Sequence, residues 1–264
     1  MRQFFLLTIF LAALKVAAQH EAVKTPYDDF VKRFNAKMDT VQWLCQYDNI
    51  AWWTSDSVSA SSKEEQSKLG SEWFCFLDNS IWHAVYGRFR SDNFEMVYHY
   101  EVDSNNLIRR VSDKIDTSIT NSYARSLVRA NAQLKAYPDT VRVHCNQYIK
   151  RNSDKSFSVW FLPAFTTNSI AIYGGEFYYR FDSTGNNITA KMEYSQGYRG
   201  FKPDKKMEIQ LDYTNLDEPS LGGIFFVWYY RKYFDRIILT SKKFNSAVFH
   251  DEPNTYYWIH DSKN

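Results

Sequence analysis

Bulky residues alternate with a period of two between Ser156 and Tyr194, and that spacing constrains the chain more than any other feature. The run Ser156–Pro163 leads through a Thr/Asn loop into Tyr173-Gly174-Gly175-Glu176-Phe177-Tyr178-Tyr179-Arg180-Phe181-Asp182, and a Ser-Thr-Gly-Asn-Asn turn then opens Ile188–Tyr194. β-Branched and aromatic runs of strand length, punctuated by Pro, Gly and Asn, predict an antiparallel meander. The same pattern predicts strands at Glu72–Leu77 and Ile81–Phe89, around a three-residue turn Asp78-Asn79-Ser80, and at Phe94–Val102 and Leu107–Ser112. It also predicts strands at Thr140–Lys150, Met207–Tyr213, Arg236–Thr240, Phe244–Phe249 and Thr255–His260. The unbroken apolar run Ile224–Tyr230 reads as a central strand buried on both faces.

Two segments change to helical spacing. Thr25-Pro26-Tyr27-Asp28 carries a cap, an N1 proline and a capping-box acid, and Phe30, Phe34, Met38, Val41 and Cys45 then form one apolar stripe over about 26–48. Ile119, Tyr123, Leu127, Ala130, Leu134 and Tyr137 do the same over about 116–137, where Pro138 ends the helix. Arg125, Arg129 and Lys135 lie off that stripe, on a solvated face. Ser61 and Glu64 cap a short helical segment before Gly70, and Ser195–Lys206, with Gly197, Gly200 and Pro203, is expected to be a mobile loop. The expected class is α+β, a curved, mainly antiparallel sheet of about nine to twelve strands with the two helices packed on it. No internal repeat or long linker divides the chain, so residues 19–264 are expected to form one domain.

The N-terminus predicts export. Met1-Arg2-Gln3 is positive, Phe4–Leu14 is apolar but for Thr8, and Val16-Ala17-Ala18 offers the small residues that a signal peptidase reads. Residues 1–18 thus read as a signal peptide, and the product is expected to be extracytoplasmic, periplasmic or secreted. The apolar run is too short to cross a bilayer, and no run of about 18 apolar residues follows it. Loss of Arg2 and Lys15 would leave 30 basic residues against 30 acidic ones, with no block of like charge, so nucleic acid is not an expected partner. Three cysteines permit one bridge at most; Cys75 and Cys145, both on expected strands, are the favoured pair, and Cys45 reads as a small buried hydrophobe.

Several of these segments together look familiar. Trp82-His83-Ala84-Val85-Tyr86-Gly87 precedes the Arg-bearing helix, and Asn146-Gln147-Tyr148, Val159-Trp160-Phe161-Leu162-Pro163-Ala164 and Gly174-Gly175-Glu176-Phe177-Tyr178-Tyr179 follow it. From about residue 72 onward the order resembles a family of bacterial secreted or envelope proteins without an assigned activity. The resemblance implies an envelope location and imports no mechanism.

Catalytic signatures are sparse. The sequence has no Gly-x-Ser-x-Gly elbow, no His-Glu-x-x-His, no phosphate-cradling loop and no Gly-x-Gly-x-x-Gly, and the six histidines show no metal-ligand spacing. No metal and no cofactor is therefore expected. Glu176 is the strongest candidate for chemistry, because Gly174-Gly175 permits close approach and strict alternation places Tyr178, Arg180 and Asp182 on its face. That line is a polar ligand site or a carboxylate pair for hydrolysis, or else an outer sheet face with cross-strand ion pairs. His99, beside Glu95 and Glu101, is expected on the outer face of its strand. Trp160, Phe177, Tyr179, Trp228 and Tyr230 alternate as core positions do. The expected function is non-catalytic binding of a small molecule, a glycan or an envelope protein, with a carboxylate-dependent hydrolase as the alternative. N-terminal sequencing of the exported chain should begin at Gln19; a mature protein that retains residues 1–18 would contradict the export signal.

Overall fold

The computed structural model describes residues 25–138, 144–165, 169–252 and 255–263. The expected signal peptide lies outside the described residues, as do positions 140–143 of the expected strand at Thr140–Lys150. The chain divides into two units, Met1–Ala36 and Lys37–Asn264. In the first, Thr25 Oγ1 accepts from Asp28 N at 3.2 Å and Asp28 Oδ2 accepts from Thr25 N at 2.9 Å, a reciprocal cap that starts helix α1 (Pro26–Ser59).

In the second unit α1 runs eleven residues beyond the expected end at Asp48. Its Ser-rich end stays helical because Thr54 and Ser55 return their hydroxyls to Ile50 O and Trp52 O, at 2.7 and 2.8 Å, while Ile50, Thr54 and Val58 continue the buried stripe. A short helix α2 (Lys63–Gln66) follows, capped by Ser62 through Glu65 N rather than by Ser61.

Twelve strands among the described residues form three four-stranded sheets, where a single sheet was expected. The first holds β1 (Trp73–Asp78), β2 (Ile81–Arg90), β3 (Asn93–Val102) and β4 (Ile108–Arg110) in that order, all antiparallel. Both of its tight hairpins use two-residue loops with positive φ at both positions, Asn79-Ser80 (47° and 66°) and Ser91-Asp92 (48° and 64°). That is the primed geometry whose twist matches the strands, and it leaves Asp78 in β1 rather than in the turn. Opposite Gly87 the register shifts, and beyond this bulge Met96 turns outward while Tyr98, His99 and Tyr100 are all buried. The simple alternation expected for this strand is broken there.

Helix α3 (Thr117–Ala136) is capped by Asp116, which accepts from Ser118 N at 2.8 Å. Its Tyr123 stacks on Phe74 at 4.6 Å and meets Phe157 edge-on at 4.9 Å. Arg125 is not on a solvated face: its side chain is only 12% exposed and forks onto Asp92 through Nε (2.6 Å) and Nη2 (2.8 Å). It also donates to Thr184 O, so one guanidinium joins the β2–β3 turn to the turn after Asp182.

The meander appears as β5 (Cys145–Arg151), β6 (Phe157–Pro163), β7 (Ala171–Phe181) and β8 (Ile188–Phe201), paired in sequence. β8 continues through the expected mobile loop as far as Phe201, because a bulge at Gly174 (φ 108°) and Gly197 (φ 81°) absorbs the irregular residues.

The third sheet contains β9 (Glu208–Tyr213), β10 (Arg236–Ser241), β11 (Phe244–Glu252) and β12 (Thr255–Ser262), in the order β12-β11-β10-β9. β9 and β10 are parallel and therefore need a crossover. The crossover is α4 (Leu221–Tyr230), the segment expected as a central strand. Ser220 caps it by accepting from Gly223 N at 3.0 Å, and Ile224–Val227 are buried. An apolar run buried all round has no period to tell a strand from a helix, and topology decides.

The expected Cys75–Cys145 bridge does not form. Cys75 is on β1 and Cys145 on β5, strands of different sheets, and strand residence alone does not bring two Cβ atoms to the ~3.8 Å that a disulfide requires. Burial pushes the Cys45 and Cys145 thiols up to about 12, which disfavours the thiolate at neutral pH.

A Cβ at Gly174 would collide with Gly197 O, whereas one at Gly197 meets nothing within 4 Å. Gly174→Ala should therefore destabilise by more than the roughly 1–3 kcal/mol of backbone strain alone, and Gly197→Ala by no more than that strain, as read from urea unfolding.

Candidate functional site

The residues singled out in the meander do not converge. Glu176 is 5% exposed, and its Oε2 accepts from Gly222 N at the start of α4. A carboxylate there meets unpaired amides and the positive end of the helix dipole. Any side chain at Gly222 would collide with it, so the Gly-Gly pair lets the helix start close to β7. Burial pushes the Glu176 carboxyl upward, opposed by the bonds from Gly222 and Ser220 and by the charge of Lys37. Lys37 Nζ in turn donates to Pro219 O at 2.7 Å.

Tyr178 OH lies 3.1 Å from Ser158 Oγ, and Arg180 donates to Asp154 Oδ2 at 2.6 Å and to Ser156 Oγ at 3.2 Å. These bonds tie down the β5–β6 turn. Asp182 closes its own turn, accepting from Thr184 N, Asn186 N and Asn187 Nδ2, which holds its carboxyl at about 2. His99 lies in a different sheet and is 3% exposed, not on an outer face. Its Nε2 is 2.9 Å from His83 Nδ1, and Glu101 is engaged by Arg109 at 2.6 Å. Desolvation, then the neighbouring His99, lower the His83 pKa.

A different carboxylate gathers what these residues do not. Asp48 is on α1 and only 4% exposed. Its Oδ1 accepts from Tyr148 OH at 2.9 Å and from Asn146 Nδ2 at 3.3 Å, both on β5, and its Oδ2 accepts from Tyr229 OH on α4 at 2.6 Å. Trp52 lies one turn further along α1. Desolvation pushes the Asp48 carboxyl above its ordinary range, and the donors around it, Tyr229 foremost, oppose the push. Among the described residues Asp48 takes part in no ion pair.

This carboxylate borders a cavity of about 600 Å³, a volume suited to a small molecule. Its aromatic wall is continuous: Tyr148–Phe225 (5.8 Å), Phe225–Tyr229 (5.3 Å), Tyr229–Tyr230 (5.0 Å), then Phe165 and Tyr233 against Tyr230 at 5.9 and 6.3 Å. Trp52, Phe165 and Tyr233 are 58%, 42% and 49% exposed, and His144, Asn146 and Lys202 add polar groups. A second hollow of about 230 Å³ shares Asp48, Trp52 and Asn146 and adds Trp73 and Tyr86. Among the described residues Asp48 is the sole carboxylate lining either space.

The sequence reading missed Asp48, although it carried one signal. Met38, Val41, Cys45 and Asp48 keep helical spacing, so the acid stands on the apolar stripe and not at its end. The described residues include no group of three or more His, Cys, Asp or Glu placed to hold a metal, and no helix long and apolar enough to cross a membrane. Comparison with family models, curated proteins and solved structures finds no match to this chain.

Because folded Asp48 holds its proton more tightly than the unfolded chain does, stability falls as pH rises from about 4, the unfolded value, toward the raised folded one. Asp48→Asn lacks that slope. Urea unfolding should show the difference between the two proteins shifting in favour of Asp48→Asn from pH 4 to pH 7; parallel profiles would place the ionisation elsewhere.

Proposed function

We propose that this is a non-catalytic extracytoplasmic protein that binds a small molecule in the aromatic cavity beside Asp48. The observation that carries the proposal is the joining of three solvent-exposed rings, Trp52, Phe165 and Tyr233, to a buried aromatic wall around one carboxylate. Exposed large apolar groups on a concave surface are costly unless something covers them. Support for a binding role over hydrolysis comes from the lining: general acid–base cleavage of glycosides needs two carboxyl groups about 5–10 Å apart, and among the described residues Asp48 is the one carboxylate there. Glu176, the other buried acid of interest, caps a helix. The extracytoplasmic assignment draws on the apolar N-terminal segment with its small-residue cleavage site, and membership of a bacterial envelope family would agree with it.

A thermal-shift screen with sugars, amino acids, nucleosides and organic amines tests the cavity. At least one class should raise the wild-type Tm, and Trp52→Ala and Tyr233→Ala, both at exposed positions, should each weaken that ligand about ten-fold or more. If no class raises the Tm, or if both variants bind as the wild type does, the cavity is not a ligand site.

A further inference from the structure

Resting on the assignment of this cavity as a ligand site, we infer that its ligand carries a quaternary ammonium group. The hydrogen bonds around Asp48 separate charge from hydrogen-bonding demand. An ionised carboxylate offers about four acceptor positions. Here Tyr148, Tyr229 and Asn146 occupy three. All three donors are neutral, so most of the hydrogen-bonding capacity of the carboxylate is filled while no cation of the described residues pairs with it.

Each ligand class makes a different demand on such a site. A sugar offers several hydroxyls, each seeking acceptors and donors, and Asp48 has one acceptor position left and no donor. A primary ammonium needs three acceptors to replace its water shell and meets the same shortage. A hard metal ion needs oxygen lone pairs facing it, whereas the polar groups nearest Asp48 aim hydrogens at the carboxylate. A quaternary ammonium makes no hydrogen bonds. It asks only for negative potential and ring faces, which an uncompensated buried carboxylate behind Trp52, Tyr148, Phe225, Tyr229 and Tyr230 supplies. Among the described residues the one lysine on the cavity, Lys202, is exposed, and its charge is screened by water.

Calorimetric titration of the mature protein with choline, with ethanolamine and with 3,3-dimethyl-1-butanol, the uncharged isostere of choline, separates the contributions. Choline should bind at least ten-fold tighter than either of the others, and Asp48→Asn should bring choline and the isostere to within about three-fold. Because the comparison among ligands is made on the wild type, it stands even where the variant folds poorly. Equal binding of choline and its isostere would overturn the inference, as would tighter binding of ethanolamine. If none of the three binds while a sugar or nucleoside raises the Tm in a manner sensitive to Trp52→Ala, the ammonium assignment fails and the cavity remains a ligand site. If nothing binds at all, both fail.

Discussion

One buried carboxylate draws together the parts of this molecule that sequence alone keeps apart. Asp48 receives hydrogen bonds from β5 and α4 while standing on α1, so three elements share a single acceptor group. Removing an acid from water costs several kcal/mol even after relaxation. The geometry here recovers part of that cost through short, charge-assisted bonds from phenols. The phenols in turn are held by ring packing: Tyr148 meets Tyr47 at 5.5 Å and Phe225 at 5.8 Å, and Tyr229 stacks on Phe225 at 5.3 Å. The aromatic surplus of the composition is thus spent on orienting hydroxyl groups as well as on filling the core.

Two buried acids in one fold show how environment divides their roles. Glu176 faces the amides of a helix start, where partial positive charge is built into the backbone, and it is enclosed there. Asp48 faces only side-chain donors and borders open volume. Both carboxyls are pushed upward by desolvation. Access distinguishes them: the first braces a crossover helix against β7, and the second presents its field to a cavity.

Much of this architecture was legible before any coordinates. Period-two spacing located most of the strands, the cap at Thr25 located the start of α1, and the stop at Pro138 located the end of α3. What was not legible shares a cause. Ile224–Tyr230 is apolar or aromatic at every position, so it has no polar face to reveal its period, and only the parallel pairing of β9 with β10 requires it to be helical. Strict alternation lined up Glu176, Tyr178, Arg180 and Asp182, but their partners come from three different places, and those partners decided their roles. His99 was misplaced because an unpaired residue in the bulge beside Gly87 altered which residues face the core. Asp48 was the most informative misfit, an acid spaced like its apolar neighbours.

The span of the Asp48 contacts has a consequence for biogenesis. Tyr148 is 100 positions from Asp48 along the chain, and Tyr229 is 181. A ribosome delivering the chain from its N-terminus makes α1 long before either phenol exists, so the acid stays hydrated through most of synthesis. Closure of the last loop costs little more entropy than closure of the first, because that cost grows only logarithmically with length. It cannot happen, however, until the crossover helix has emerged. Any chain cut short before residue 229 would carry a bare charge where the finished protein has a sealed one, and quality-control proteases would meet it as an open structure.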